Sequence, residues 1–396
     1  MGRRSVSAAP TSPESDVRRL IDEGYAVALV DGMLVVSHVP YLKPTGSVGR
    51  GELLVPVSMA GDRIVAPRVH TAWWIGDAPC ETDGTTLRGV AVNAPSREML
   101  SGRGVARMLC TKPNGREFHD HHEFVATYIA LLGRPAAAID PLATARIRAR
   151  PIAIDVRAGD FAYLDTATPR AALTSFNDRI RGQTVGIIGL GGTGSYVLDL
   201  LSKCCVRAIH LFDDDLFEQH SAFRAPGAAT IDDLRAGRRK VDHFASMYRG
   251  IHRGVIPHAV RIDAGTSPLL DVLDFAFVCI DDAAAKPPIM DRLAARGIGY
   301  VDVGMGLHSS ERGIIGAMRT TLVTPDDDGM IDRIPVVGDP EGVYSTNIQI
   351  CELNAVNAAF AVIAWKQHHG FYGASRRTGN RVFALEDGIA HNEELS

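Results

Sequence analysis

Cysteine pairs with C-x-x-C spacing are missing from this chain of 396 residues. Its six cysteines are scattered and none belongs to a C-x-x-C pair, so the sequence encodes neither a disulfide framework nor a thiolate zinc site. Runs of 18 or more apolar residues are also missing, as is the apolar core of a secretory signal peptide near the start. The sequence therefore predicts free thiols, a cytoplasmic location and no membrane partner.

Excess positive charge is absent as well. The 42 lysines and arginines and the 46 aspartates and glutamates give a net charge of -4, whereas proteins that bind nucleic acid usually carry a basic patch. A hydrophobic content of 46% and a charged content of 22% are ordinary for globular proteins. The length is sufficient for two domains. We therefore expect a soluble two-domain protein whose main partner is not a nucleic acid.

The N-terminal region begins with residues 1–16, whose Ser, Ala, Pro and Arg content predicts a disordered leader. A short amphipathic helix is expected next, over 16–22. Four strand-like runs separated by turn signals follow at 25–30, 33–39, 52–59 and 70–75. The dipeptide Asp31-Gly32 between the first two runs predicts a hairpin turn.

A longer helix is expected at the end of this region, over 123–132. Asp120 is suited to cap its N-terminus, and Gly133 and Pro135 are residues that usually end a helix. A helix, a series of antiparallel strands and a second helix together predict a smaller α+β domain over residues 17–160, of unassigned role.

A glycine-rich turn dominates the second half of the chain. Residues 185–188 are β-prone, several glycines follow, and an apolar-periodic segment comes next, so this stretch predicts a strand, a tight turn and a helix. Glycine lets backbone N–H groups approach phosphate closely, and a helix N-terminus adds partial positive charge. The same pattern serves NAD, FAD and ATP. The predicted phosphate-binding residues are Gly189, Gly191, Gly192 and Gly194.

Strand-like and helical segments alternate after the glycine turn, which predicts an α/β domain with a Rossmann-like, mainly parallel sheet. Residues 313–322 are expected to add an antiparallel strand. Residues 347–366 are apolar almost all round and predict a buried helix, with Ser345 or Thr346 as its cap. We predict that this domain covers residues 161–372 and that residues 373–396 form a C-terminal tail.

Carboxylates follow the second strand of this domain, at Asp213 and Asp215. They are expected at the carboxyl end of the sheet beside the glycine turn, where the ribose of a nucleotide would lie. An acidic residue about 20 positions beyond the glycines is also typical of NAD-binding proteins. An ATP site, an NAD site and a solvated acidic turn are therefore all compatible with these residues.

Two cations distinguish between these possibilities. Arg224 and Lys240 follow the second strand, and a triphosphate needs such cations, Arg as a planar fork and Lys as a point charge. An enzyme that transfers hydride to or from NAD does not need these two cations. The third strand ends in Asp281, and a carboxylate beside a polyphosphate is a suitable magnesium ligand. We therefore favour ATP with Mg²⁺ over NAD, with Arg224, Lys240 and Asp281 as catalytic residues.

This order of motifs resembles the ThiF, MoeB and ubiquitin-activating-enzyme superfamily. The resemblance covers roughly residues 165–372 and rests on the glycine turn, Asp213-x-Asp215, Arg224, Lys240 and Cys279-Ile280-Asp281-Asp282. It implies a homodimer that uses ATP and Mg²⁺ to adenylate the C-terminal glycine carboxylate of a ubiquitin-like protein. Asp213 would then bind the ribose, Arg224 and Lys240 the phosphates, and Asp281 the magnesium.

The N-terminal domain is similar to that of a bacterial subgroup linked to ubiquitin-like conjugation, which implies a conjugating enzyme as a possible partner. Ser221 stands where the family usually has an Asn that supports the nucleotide. Residues 323–346 lack the thioester cysteine of some members, so we expect adenylation without a thioester on that segment. Cys351 is a weaker nucleophile candidate. A catalytically weak scaffold and an NAD-dependent oxidoreductase are the alternatives.

Overall fold

The computed structural model describes residues 15–61, 63–100, 102–112, 115–147, 159–337 and 348–395. These residues divide into two compact units. The first contains the described residues up to 147 together with 163–178, and the second contains 159–162 and the described residues from 179 onward. The chain therefore passes between the units three times, entering the second unit at residue 159, returning to the first at 163 and entering the second again at 179. Residues 1–14 of the expected leader lie outside the described part.

The first unit is an antiparallel sheet with helices, the predicted α+β class. Its strands are β1 (Ala26–Val30), β2 (Met33–Leu42), β3 (Val48–Pro56), β4 (Met59–Ala60), β5 (Arg63–Ile64), β6 (Thr71–Ile75), β7 (Ala91–Glu98) and β8 (Val105–Cys110). Its helices are α1 (Ser15–Asp22), α2 (His121–Ile139), α3 (Ala167–Ala171) and α4 (Thr174–Asn177). The main sheet has the order β1-β2-β3-β6-β8-β7, and α2 packs across β2 and β3.

The predicted hairpin turn is confirmed. Val30 of β1 pairs with Met33 of β2, and the two residues between them, Asp31 and Gly32, have φ angles of 45° and 76°. Positive φ at both central positions gives the turn the twist that antiparallel strands require, and Asp-Gly tolerates it best.

The prediction that the second helix ends near Leu132 is wrong. Asp120 caps the helix as expected, because its side chain accepts a hydrogen bond from the Glu123 backbone N–H at 2.7 Å. The helix then continues through Gly133 and Pro135 to Ile139. Pro135 and Ala136 are buried, and the burial of these two residues compensates for the hydrogen bond that proline cannot donate.

The second unit is an α/β domain built on an eight-stranded sheet. Its strands are β9 (Thr184–Ile188), β10 (Ala208–Phe212), β11 (Val255–His258), β12 (Phe275–Val278), β13 (Gly299–Ser310), β14 (Gly313–Val323), β15 (Thr378–Ala384) and β16 (Ile389–Glu394). Its helices are α5 (Gly192–Leu201), α6 (Gln219–Ala222), α7 (Ile231–Arg235), α8 (Lys240–Tyr248), α9 (Lys286–Ala295) and α10 (Cys351–His368). Short 3₁₀ helices occur at Ser267–Val272, Ala283–Ala285 and Ile331–Arg333.

The sheet order is β11-β10-β9-β12-β13-β14-β15-β16. The pairs from β11 to β13 are parallel and the pairs from β13 to β16 are antiparallel. Every residue of β9 and of β12 is buried, as expected for central parallel strands that are covered on both faces. The predicted mainly parallel α/β sheet is confirmed, and the carboxyl ends of β9, β10 and β12 lie side by side.

The C-terminal part differs from the sequence prediction in two ways. The expected tail, 373–396, contains β15 and β16, which extend the sheet beyond β14. The helix α10 begins at Cys351 and buries one face, formed by Asn354, Asn357, Ala358, Ala361, Val362 and Trp365. It packs on α5, β13 and β14 by that face, so it is not buried all round. The expected capping residues Ser345 and Thr346 lie outside the described residues.

Among the residues that the structure describes, no helix combines the length and the apolar character needed to cross a lipid bilayer.

Candidate functional site

A cavity of about 750 Å³ lies at the carboxyl ends of β9, β10 and β12. Open α/β sheets bind their ligands in such a crevice, because loops from adjacent parallel strands converge there. Most of the predicted site residues line this cavity. They are Gly189, Gly191, Gly192, Asp213, Asp215, Arg224, Lys240 and Asp281.

The glycine turn joins β9 to α5. Gly189 has a φ of 89°, and a Cβ at this position would lie 2.7 Å from the carbonyl oxygen of Cys279. A Cβ at Gly194 would lie 1.9 Å from the carbonyl oxygen of Gly189, inside the turn, whereas one at Gly191 would meet no atom within 4 Å. Gly194 is therefore required for packing, and Gly191 leaves open space in the cavity wall.

Replacement of these two glycines should have different effects. Gly194→Ala is expected to lower the free energy of unfolding by about 1–3 kcal/mol, because the new methyl group overlaps a backbone oxygen that cannot move freely. Gly191→Ala is the matched control and should cost less than about 1 kcal/mol. Urea denaturation of both variants measures the difference, and equal stability would contradict the packing role of Gly194.

Asp213 braces the glycine turn from the end of β10. One carboxylate oxygen accepts a hydrogen bond from the backbone N–H of Leu190 at 2.7 Å, and the other accepts from that of Asp215 at 2.9 Å. Burial raises the pKa of the Asp213 carboxyl group, and the charge of Lys240 opposes this shift. Each carboxylate oxygen has a second lone pair, so these contacts are compatible with the predicted ribose contact.

Lys240, the first residue of α8, is buried between two carboxylates. Its Nζ lies 2.5 Å from Oδ2 of Asp215 and 3.7 Å from Oδ1 of Asp213. The hydrogen bond from Lys240 lowers the pKa of Asp215. The backbone N–H of Lys240 also donates to the Asp215 carbonyl at 2.9 Å. Lys240 is thereby fixed beside Asp213 and Asp215.

Arg224 and Ser221 occupy different positions in the loop after β10. Arg224 lines the cavity, and its Nε is buried without a hydrogen-bond partner among the described residues. Ser221 is 4% exposed and does not line the cavity, and its Oγ likewise lacks a partner in the described part of the chain. The structure therefore brings Arg224 to the predicted site, whereas Ser221 is not among the residues that line it.

Asp281 follows β12 and lines the same cavity as Asp213. Its neighbour Asp282 is held at 2.6 Å by Arg261 and caps a 3₁₀ helix. Magnesium in nucleotide sites uses one or two carboxylates together with substrate phosphates, so Asp281 fits the predicted ligand. Among the described residues, the one cluster of three or more potential metal-ligating side chains is Asp213, Asp214 and Asp215, a group that does not include Asp281.

Sequence reasoning missed an amide group that joins the glycine turn to the loop that carries Arg224. Asn354 on α10 accepts a hydrogen bond from the Thr193 hydroxyl at 3.0 Å and donates to the Arg224 carbonyl at 3.4 Å. It is 1% exposed. Gln349 accepts from the Gly192 backbone N–H at 3.3 Å. The only sequence signal for Asn354 is a polar residue within an apolar helical segment.

A buried ionic group in the same cavity was also missed. Asp302 on β13 is 0% exposed, and its Oδ1 lies 2.7 Å from Nζ of Lys286. Its Oδ2 accepts a hydrogen bond from Arg319 on β14. Lys286 and Arg319 line the cavity. The signal that could have revealed them is a charged residue in the apolar strand Tyr300–Val303.

The ThiF family model matches residues 167–366, half of the chain. The chain belongs to the ThiF family. A second model, a domain of unknown function (DUF6791), matches residues 15–166. The ThiF segment contains the glycine turn, Asp213, Arg224, Lys240 and Asp281, so all the cavity residues predicted from the sequence lie within the family domain.

Curated relatives of this ThiF-family chain are ubiquitin-like modifier-activating enzymes 5. The protein from Caenorhabditis elegans is 32% identical over 80 residues, which is 19% of this chain and 19% of that protein. The protein from Drosophila willistoni is 33% identical over 173 residues, 41% of each chain. The matched part thus spans less than half the length of these relatives.

Solved structures that superpose on part of the chain include those of E. coli MccB and PaaA. E. coli MccB with MccA-N7isoASN has a TM-score of 0.47 and 16% identity, and the superposition covers 58% of this chain and 68% of MccB. PaaA has a TM-score of 0.43 and 16% identity over 56% of this chain and 75% of its own.

Two cysteines of the ThiF domain, Cys279 and Cys351, are partly buried, and Cys351 has a side-chain partner. Cys279 lines the cavity, and burial, reinforced by the charge of Asp302, raises the pKa of its thiol. Cys351, the first residue of α10, lies 2.7 Å from the hydroxyl of Tyr196. Burial raises the pKa of Tyr196 to about 12, and the contact with Cys351 contributes to this increase.

Proposed function

We propose that the protein is an ATP- and Mg²⁺-dependent adenylyltransferase that activates a carboxylate as an acyl adenylate and releases pyrophosphate. The observation that carries this proposal is the convergence of Arg224, Lys240 and Asp281 on one cavity. They come from three separate segments of the chain and line the same space as the glycine turn. Membership of the ThiF family supports the same activity.

The residues of the cavity suit this reaction without covalent catalysis. Backbone N–H groups of the glycine turn and the N-terminus of α5 bind phosphate oxygens. Arg224 and Lys240 neutralise the charge that develops on the departing pyrophosphate. Asp281 would hold magnesium, which when bound neutralises further phosphate charge. The substrate carboxylate attacks the α-phosphorus, the bond to the β-phosphate oxygen breaks, and no general base is needed because the carboxylate is already ionised.

The proposed substrate is a ubiquitin-like protein with a C-terminal glycine. The similarity to ubiquitin-like modifier-activating enzymes 5 supports this class. Residues 323–346 contain no cysteine, which supports adenylation without a thioester on that segment. A homodimer, a cytoplasmic location, a conjugating enzyme as partner and a role in bacterial ubiquitin-like conjugation complete the proposal.

Magnesium-dependent ATP–pyrophosphate exchange tests the proposed reaction. We expect exchange of label from pyrophosphate into ATP when a Gly-terminated ubiquitin-like protein is added, and none when its last glycine is removed. An oxidoreductase or a catalytically inactive scaffold gives no exchange, and the oxidoreductase alone binds NAD(H). Absence of exchange with the ubiquitin-like proteins that are encoded by genes adjacent to the gene of this protein would contradict the proposal.

A further inference from the structure

Lys286 and Arg319 line the cavity at the carboxyl ends of β9, β10 and β12. Neither cation is among the residues proposed above to bind phosphate. Both contact Asp302, which lies behind them and does not itself line the cavity. The side chain of Lys286 is 5% exposed, that of Arg319 is 15% exposed and that of Asp302 is fully buried. The three side chains form what we call the cation pair and its supporting aspartate.

The charge of this group is not balanced. Its three side chains carry two positive charges and one negative charge, so Asp302 can neutralise only one of the two cations. Lys286 is also the first residue of α9, where the helix dipole adds further positive charge. Uncompensated buried charge is unfavourable, and an anion in the cavity would offset it.

Backbone geometry directs the cation pair toward the cavity. Arg319 lies opposite Gly304 in the β13–β14 pairing, and a Cβ at Gly304 would lie 3.1 Å from its Nη2. Arg319 also donates a hydrogen bond to the Thr321 hydroxyl. The absence of a side chain at Gly304, which lines the cavity, therefore allows the guanidinium group to lie flat against β13.

The cation pair and the phosphate-binding cations lie on opposite sides of Asp281. In the sheet order β10-β9-β12-β13-β14, Asp213 follows β10 and Asp281 follows β12. Arg319 lies on β14, and Lys286 of α9 contacts Asp302 on β13. Asp302 pairs with Val278, the last residue of β12. The cavity thus offers a second anion-binding region beside Asp281, separate from the glycine turn, Arg224 and Lys240.

We infer that Lys286 and Arg319 bind the terminal carboxylate of the acyl substrate, with Asp302 as the residue that positions them. This inference rests on the proposed function, in which a second anion besides ATP must enter the cavity. Carboxylate matches the planar fork of Arg, and a neighbouring Lys supplies a second charge-assisted hydrogen bond. The phosphates already have the cations on the other side of Asp281.

The test uses the full-length protein and two small probes, N-acetylglycylglycine and its C-terminal amide. Their dissociation constants are measured by NMR titration with Mg²⁺ and an ATP analogue that has a methylene group between the α- and β-phosphorus atoms. Wild-type protein is expected to bind the carboxylate at least about tenfold more tightly than the amide. Lys286→Met and Arg319→Met should each reduce this preference to below about threefold.

Affinity for the ATP analogue should change by less than about twofold in both variants. Arg296→Met, which removes an exposed cation at the end of α9, is the matched control and should keep the full preference for carboxylate. Arg319→Lys retains the charge and should keep part of the preference, so it replaces Arg319→Met if that variant does not fold.

Each outcome separates the two proposals. A wild-type protein that binds the analogue but shows no preference for carboxylate overturns this inference alone. Variants that lose affinity for the analogue by about tenfold or more would assign the cation pair to phosphate and also overturn it. A wild-type protein that does not bind the analogue contradicts the proposed function itself.

Discussion

Asp281→Ala is expected to reduce ATP–pyrophosphate exchange by about a thousandfold or more. Asp281 is the proposed magnesium ligand, and loss of the metal removes several kcal/mol of charge stabilisation from the transition state, where each 1.4 kcal/mol corresponds to a factor of ten. The side chain follows the buried strand β12 and lines the cavity. Exchange rates measured over a range of magnesium concentrations test the effect.

The control for this experiment is Asp291→Ala, which removes an exposed carboxylate of α9 and should leave exchange unchanged. Far-UV circular dichroism shows whether each variant keeps its fold. If Asp281→Ala is folded and its exchange rate stays within about threefold of wild type, Asp281 is not the metal ligand.

Asp302→Asn should cause the largest loss of stability. The substitution keeps the size of the side chain but removes the negative charge between Lys286 and Arg319, so two cations remain in a buried wall of the cavity. Removal of one partner from a buried ionic group typically costs about 3–5 kcal/mol, and the full burial of Asp302 leaves little screening by water. The free energy of unfolding measured in urea should fall by that amount.

Asp332→Asn provides the comparison, since Asp332 is an exposed carboxylate of the same unit, and its loss should change the free energy of unfolding by less than about 0.5 kcal/mol. If Asp302→Asn is as stable as this control, the buried ionic group does not contribute about 3–5 kcal/mol to the free energy of unfolding. The inference about its positioning role would then lose its physical basis.

The part of the cavity around the glycine turn could be predicted from the sequence because its signals are local. Glycines after a β-prone run indicate the turn, and carboxylates directly after apolar strands indicate the edge of the sheet where they lie. A parallel sheet places the residues that follow its strands at one edge, so Asp213 and Asp281 were expected to lie close together. Both line the same cavity. Arg224 and Lys240 needed the additional argument that a triphosphate requires cations.

The other half of the cavity could not be predicted in this way. Asp302 and Arg319 meet through the pairing of β13 with β14, and antiparallel register cannot be read from either strand alone. Asn354 reaches the glycine turn only because α10 packs on α5. The end of α2 was predicted wrongly for a related reason, since burial of Pro135 outweighed its local effect on the helix.

The strands β15 and β16 also determine where the chain can be shortened. The ThiF family match ends at residue 366, but β15 provides the hydrogen-bonding partner for Ala317–Thr321 of β14. A protein truncated at residue 372 would expose the backbone of a long strand as a new sheet edge, which favours aggregation. It would also remove Asn380, which accepts a hydrogen bond from Thr321, the residue that contacts Arg319. Recombinant forms of the second unit should therefore extend to residue 395.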